Sequence, residues 1–331
     1  MEFLLRLIDP LRPTGDLAPE EYRFAPDVRA WAVPIGIGVA LLVITVVLGM
    51  SGAEEGHFFS ERFYFAYLIG WVFCVSISLG GLLFVMIQHL ASADWSIVVR
   101  RISELLMMNF PVLIIFGIPV VLGMNDLYHW THADLYEVGG ENYDPMLAAK
   151  RGYLNTPFFI IRLIVYFGIW TYLSFRLYKL SISQDVDPLP GNGRMAEERK
   201  LSAWGILAFS LSIGFASFDL LMSLDPHWYS TIFGVYFFSG IFFVVVASIT
   251  MMALMLQRAG YLNGVISAEH YHDLGKFMFG FTVFWAYIAF SQYMLIWYAN
   301  LPEETVWFRE RMEGSWGYVS LALLFGHFVI P

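Results

Sequence analysis

Long apolar runs alternate with short polar stretches along nearly the whole chain, at about 31–50, 63–90, 105–123, 157–180, 201–221, 231–257, 274–298 and 316–330. Roughly 20 apolar residues in helical form cross a ~30 Å hydrocarbon layer. The pattern therefore predicts about eight transmembrane helices and an all-α polytopic membrane protein. The linkers are short except for 124–156 and for 181–200, which contains PLPGNG. Residues 1–30 form an N-terminal segment and 31–331 a single transmembrane domain, with one helical bundle over about 63–180 and a second from about 201 onward. The last run meets the end of the sequence inside its helical pattern, as expected of a chain that continues.

Within the spans, Gly70, Cys74, Ser78 and Gly81 fall near one helical stripe and predict a close helix–helix approach. Pro111 and Pro119 are expected to bend the third span, with the freed carbonyls satisfied by neighbours. Trp31, Tyr64, Trp130, Trp228, Trp297 and Tyr298 sit at span ends, as in an interfacial belt. Gly81-Leu-Leu-Phe-Val in span two echoes Gly240-Ile-Phe-Phe-Val in span six, hinting at two related bundles.

Composition agrees: 58% apolar, 18% aromatic and only 14% charged, where soluble domains carry about 25% charged residues. The opening MEFLLRLIDPLRPTG is too polar for a signal peptide and reads as a cytoplasmic lead-in or interfacial helix. Lys and Arg are unevenly shared. Arg6, Arg12, Arg23, Arg29, Arg100, Arg101, Arg176, Lys179, Arg194, Arg199, Lys200, Arg258 and Lys276 fall on one side. Arg62, Lys150, Arg151, Arg309 and Arg311 fall on the other. The positive-inside rule then places the N-terminus in the cytoplasm of a bacterial inner membrane and turns the 124–156, DPHW and 299–315 loops outward.

Candidate chemistry is sparse. The one cysteine, Cys74, excludes an intrachain disulfide and a cysteine-ligated cluster held by this chain alone. Of the eight histidines only His327 lies mid-span, with His89 near a span end, which argues against a bis-histidine haem. Arg162 is the deepest cation. It either snorkels to the headgroups or faces the bundle interior against an acid such as Asp126 or Asp219. Ser212, Asp219 and Ser223 share a face at i, i+7, i+11, a line able to pass protons through water or else a helix end reaching the surface. Asp225 precedes Pro226 and is read as a turn former; His227 beside it is a group that exchanges protons near neutrality.

At the opposite face, Glu269, His270, His272, Asp273 and Lys276 surround the start of span seven. Asp273 reads as an N-cap or as part of a proton-collecting cluster; His270 and His272 alone are a thin ligand set for a metal. Tyr287, Ser291 and Tyr298 share a face of that span, most simply as helix–helix packing.

The stretches SLGGLLFVMIQHLASADWSIVVRRISE (78–104), DLYHWTH (126–132), LAAKRGYLNTPFFIIRLIVYFGIWT (147–171), FDLLMSLDPHWYSTIFGVYFFSG (218–240) and HDLGKFMFGFTVFWAYIAFSQYMLIWYANLPEET (272–305) together resemble one family. It is that of the ActF-type membrane subunits of bacterial alternative complex III, among the NrfD-like, or polysulfide-reductase-like, membrane anchors. The resemblance implies ten transmembrane helices in two four-helix bundles, of which this sequence holds about eight. It implies a quinol:cytochrome c oxidoreductase of translocase type, with quinol or menaquinol as the substrate of the complex. Haem c and iron–sulfur clusters sit in partner subunits and no cofactor is bound by this chain alone. The implied partners are an ActC-like quinol-site subunit, an iron–sulfur subunit, c-type cytochromes and lipids, with no nucleic acid. For the ActF-type subunit, proton conduction and scaffolding are expected. The carry-over falls on Asp219, Ser223, Asp225 and His227, on Asp126, His129 and His132, on Arg162, and on His272, Asp273 and Lys276. Rival readings are a subunit that itself binds quinol, a secondary transporter, and a purely structural anchor.

Overall fold

Helix boundaries fall where side chains or left-handed residues satisfy orphan backbone groups. The computed structural model describes residues 28–51, 59–186 and 193–330. Most of the N-terminal lead-in, His57 and most of the PLPGNG linker lie outside them. Helix α1 (Val28–Ser51) precedes α2 (Glu61–Ala91), whose N-cap Ser60 accepts the Phe63 N–H at 3.3 Å. Ser92, at φ 51°, ends α2 in the left-handed region and donates its N–H to the His89 carbonyl.

The third span bends harder than two prolines require: it is broken into α3 (Ile97–Met107), α4 (Phe110–Phe116) and α5 (Ile118–Leu122). At the second break the Gly117 and Val120 amides bond one residue short, to Ile114 and Gly117. That leaves the Leu113 and Phe116 carbonyls without helical donors. Trp71 Nε1 fills the first at 2.8 Å and the Tyr67 hydroxyl the second at 2.7 Å, as a membrane-embedded break demands.

A short α6 (Met124–Leu127) and α7 (Pro145–Lys150) lie in the long loop. They are followed by α8 (Thr156–Val186), α9 (Gly193–Leu220), α10 (Phe233–Arg258) and α11 (Ala268–Ala299). Helix α12 (Pro302–Met312) and α13 (Trp316–Leu323) follow, the latter continuing as a π turn over Leu324–Val329. Among the described residues, seven helical segments are long and apolar enough to cross a membrane. The eighth expected span, Trp316–Val329, is apolar but shorter. The third span begins at Asp94, about three helical turns earlier than the hydropathy pattern suggested, because Arg100, Arg101 and Glu104 are paired with one another rather than placed in a loop.

The loops sort to two ends. Tyr128–Leu220, Lys150–Pro226 and Trp228–Trp307 contacts gather the 123–155, 221–232 and 300–315 segments at one end. His89–Glu198, Arg199–Ser92 and Trp95–Phe277 contacts gather 91–97 with the start of α9 and α11 at the other.

Packing adds to these expectations. One buried cluster runs from Phe63 to Leu274, so the two bundles share a core. Helix α9 packs on α8 and α2 as well as on α10, and so lies against both bundles. On the α2 stripe Gly81 is tight, a Cβ there meeting the Ser103 carbonyl at 2.9 Å, but Gly70 has open space and Cys74 is exposed. The closer approach is at Gly80, where a Cβ would lie 2.5 Å from Val245 Cβ on α10. The aromatic belt is also divided: Trp297 and Tyr298 are exposed, whereas Tyr64, Trp130 and Trp228 are buried in protein.

Candidate functional site

Arg162 sits six residues into α8, about 9 Å below its start, and Asp219 one residue from the end of α9. Because these helices run antiparallel, the two meet on facing stripes. Arg162 Nε donates to Asp219 Oδ2 at 2.8 Å and Nη2 donates to Oδ1 at 2.9 Å, a bidentate fork. The Tyr166 hydroxyl donates to Oδ2 at 2.7 Å. Asp219 is fully buried and Arg162 7% exposed, so the cation does not snorkel; of its two expected acids it takes Asp219. Its remaining nitrogen, Nη1, donates to the Tyr153 carbonyl at 2.9 Å, and the Tyr153 ring lies 3.9 Å from the guanidinium carbon.

The serines do not form the expected line with the carboxylate. Ser212 Oγ accepts from Trp170 Nε1 at 2.8 Å, and Ser223 donates to the Asp219 backbone carbonyl. The stripe nevertheless continues. Arg162, Tyr166, Trp170, Ser174 and Ser181 face inward on α8, and Asp219, Ser212, Ser202 and Glu198 on α9. Around the level of Ser174 the seam is filled by Leu173, Leu177, Met86 and Phe209, all buried.

A loop covers the pair. Tyr128, fully buried, donates to the Leu220 carbonyl at 3.1 Å, and Tyr128 and Trp130 both pack on Phe159. Burial, then the Asp219 charge, pushes the Tyr128 phenol well above its usual range. Tyr153 is raised to about 12 for the same two reasons in the same order. The rim of the loop is held to the DPHW turn. Asp144 caps α7 by accepting the Met146 and Leu147 amides and meets His227 Nε2 at 2.5 Å. Lys150 Nζ donates to the Pro226 carbonyl at 2.6 Å. Partial burial raises the Asp144 carboxyl, but the Leu147 amide, His227 and the Met146 amide outweigh it and its pKa is lowered. Burial lowers the Lys150 ammonium against the pull of Asp144 and Asp225. Asp225 accepts the Trp228 N–H, the turn role its sequence implied.

A second polar cluster lies at the opposite end, about 31 Å along α9 from Asp219 to Glu198. Glu198 is buried, with His89 Nδ1 3.4 Å from Oε2. Glu104 is buried between Arg101 at 3.1 Å, Arg100 at 3.6 Å and the Ser181 hydroxyl at 2.8 Å. Sequence reasoning missed this cluster because its members sit at polar span ends, where charge is ordinary. The visible signal was the acid that follows two arginines in RRISE, Arg100 to Glu104. The cluster expected on α11 is different in kind. Ser267 is the N-cap, with the His270 ring completing a capping box, while Asp273 pairs with Lys276 at 2.9 Å instead of capping. His272 and Lys276 are exposed.

The remaining candidates stand apart from the pair. Asp126 is half-buried beside Arg62 in a cleft between α1, α2 and the loop. His129 packs edge-on against His132, whose Nε2 lies 2.9 Å from the Asn125 carbonyl. Tyr287 is exposed and Ser291 half-buried, so their face looks outward rather than joining helices within the chain. His327 meets Trp285 and Phe243 edge-on at 4.4 and 4.7 Å. Among the described residues, no group of three or more His, Cys, Asp or Glu is placed to hold a metal.

Fold and site define a multi-pass, all-α membrane protein with a buried ion pair near one end of its first bundle. No family model and no curated protein matches the chain.

Proposed function

We propose that this chain is an ActF-type, NrfD-like membrane subunit of a quinol-oxidising electron-transport complex, in which it scaffolds the membrane arm and conducts protons. The observation that carries the proposal is the Arg162–Asp219 fork closed by Tyr166. An intramembrane ionisable pair facing the bundle interior is by default part of an ion pathway. With both carboxylate oxygens engaged, Asp219 is open to a passing water only when the fork opens. The pair is then a gate at the outer end of the seam.

Two polar clusters separated by the Leu173–Leu177–Met86–Phe209 plug support a two-half-path arrangement. Glu198, His89 and Glu104 form the inner half-site, replacing the exposed His272 and Lys276 and the half-buried Asp273. The Ser174 hydroxyl, within the plug, and the Ser202 hydroxyl, on its inner side, are buried with no partner among the described residues, groups that a bridging water would satisfy. Quinol chemistry in a neighbouring subunit drives the opening; haem c and iron–sulfur centres belong to partners. The N-terminus faces the cytoplasm of a bacterial inner membrane, as the basic residues imply.

The test is Tyr166→Phe and Asp219→Asn in the assembled complex, with quinol oxidation, proton release and assembly measured separately. Proton release that falls while assembly and the partner haems stay intact supports conduction. Unchanged proton release with normal assembly leaves a purely structural anchor. Purification as a lone active carrier identifies a transporter.

A further inference from the structure

At the same end of the molecule as the buried pair, but on the opposite bundle, α10, α11, α12 and α13 enclose a cavity of about 760 Å³. Its rim is polar and its depth is largely apolar, Gln292 on α11 apart. Arg311 sits at the rim on α12, half-buried, its Nη1 donating to the Trp307 carbonyl at 2.8 Å. The guanidinium lies over the Trp307 ring, which stacks at 4.1 Å on buried Trp228. Among the described residues no carboxylate forms an ion pair with Arg311. Burial lowers its pKa, only partly offset by Glu310 and Asp225. A half-desolvated guanidinium without a carboxylate presents donors in the fork geometry that suits phosphate.

The far wall shows what accompanies that phosphate. Trp285 lies 14 residues, about 21 Å, from the end of α11, and Phe328 is 12 residues, about 18 Å, past the start of α13. Half of a ~30 Å hydrocarbon core is about 15 Å. The cavity therefore runs from headgroup level to the bilayer midplane, with apolar and aromatic walls below a single cationic rim. A small soluble anion leaves that depth unfilled, and a neutral ring-shaped headgroup leaves Arg311 without a counter-charge.

We propose that this cavity is a binding site for one acidic phospholipid, its phosphate on Arg311 and an acyl chain along Tyr236, Trp285 and Phe328. The inference is independent of the electron-transport reading.

The test uses the full chain extracted from membranes in mild detergent, probed with phosphatidylglycerol and phosphatidylcholine vesicles and read by native mass spectrometry. One phosphatidylglycerol per chain is expected, retained about tenfold over phosphatidylcholine, and lost in Arg311→Gln. Arg309→Gln is the control: it removes the same charge from an exposed position on the same helix and leaves retention unchanged. The thermal midpoint of the wild-type protein rises with phosphatidylglycerol and not with phosphatidylcholine, a readout that holds even where Arg311→Gln folds poorly. Equal loss in both variants overturns the proposal, as does retention in Arg311→Gln, stabilisation by inorganic phosphate alone, or a quinone in place of the phospholipid.

Discussion

Arg162 shows how much one buried cation depends on its partner. Two charges at 2.8 Å in a protein interior gain strongly from each other, yet each has lost its water, so the pair as a whole contributes little net stability. Breaking it is another matter. Arg162→Met leaves Asp219 buried and uncompensated, and is expected to cost about 3–5 kcal/mol in unfolding measurements in detergent. The double variant Arg162→Met with Asp219→Leu is expected to recover most of that loss. If single and double variants are equally unstable, the cost lies in packing and the charge argument fails. Arg162→Lys keeps the charge but not the fork, and falls between the wild type and Arg162→Met.

At the scale of elements, the rim of the long loop is held to the DPHW turn by the Asp144–His227 contact and by the Lys150 bond to the Pro226 carbonyl. Asp144 faces His227 from the DPHW turn, with Lys150 and Asp225 nearby, and Asp144 also caps α7. The carboxyl's folded pKa is lowered, so its contribution to stability is present above the ordinary carboxylate range of about 3.9 and is lost as pH falls through the lowered value. Protection of residues 133–150 against hydrogen exchange, taken relative to intrinsic exchange at each pH, is therefore expected to fall as pH drops below about 3.9. Asp144→Asn, which cannot ionise, should lower that protection at neutral pH and remove its fall in acid. An acid fall that survives in Asp144→Asn assigns it to another group.

For the whole molecule, the contact between bundles depends on a position with no side chain. Gly80 lets α2 meet α10 so closely that a methyl there would strike both Val245 and the Ile241 carbonyl, at 2.5 and 2.7 Å. Gly80→Ala is expected to cost about 1–3 kcal/mol by forcing the backbones apart, seen as a lower thermal midpoint. Gly70→Ala, in open space on the same helix, should be close to neutral.

The apolar runs alone were enough to establish the helical, multi-pass architecture, because each span must satisfy its own backbone in lipid and must be long enough to cross it. They located α2, α8, α10 and α11 to within about a turn or two, and singled out Arg162, Asp219 and His227 as costly residues in an apolar chain. What they left open was partnership. Asp219 and Arg162 are 57 residues apart, Asp144 and His227 83, and Ser181 and Glu104 77. No local periodicity encodes such pairings. Nor does hydropathy separate a tryptophan facing lipid from one facing protein, which is why Trp130 and Trp228 read as belt residues and are in fact buried. Length and polarity are properties of a segment and survive in one dimension. Which acid meets which base, and which glycine admits a neighbour, depend on how antiparallel helices align, and only the tertiary structure decides them.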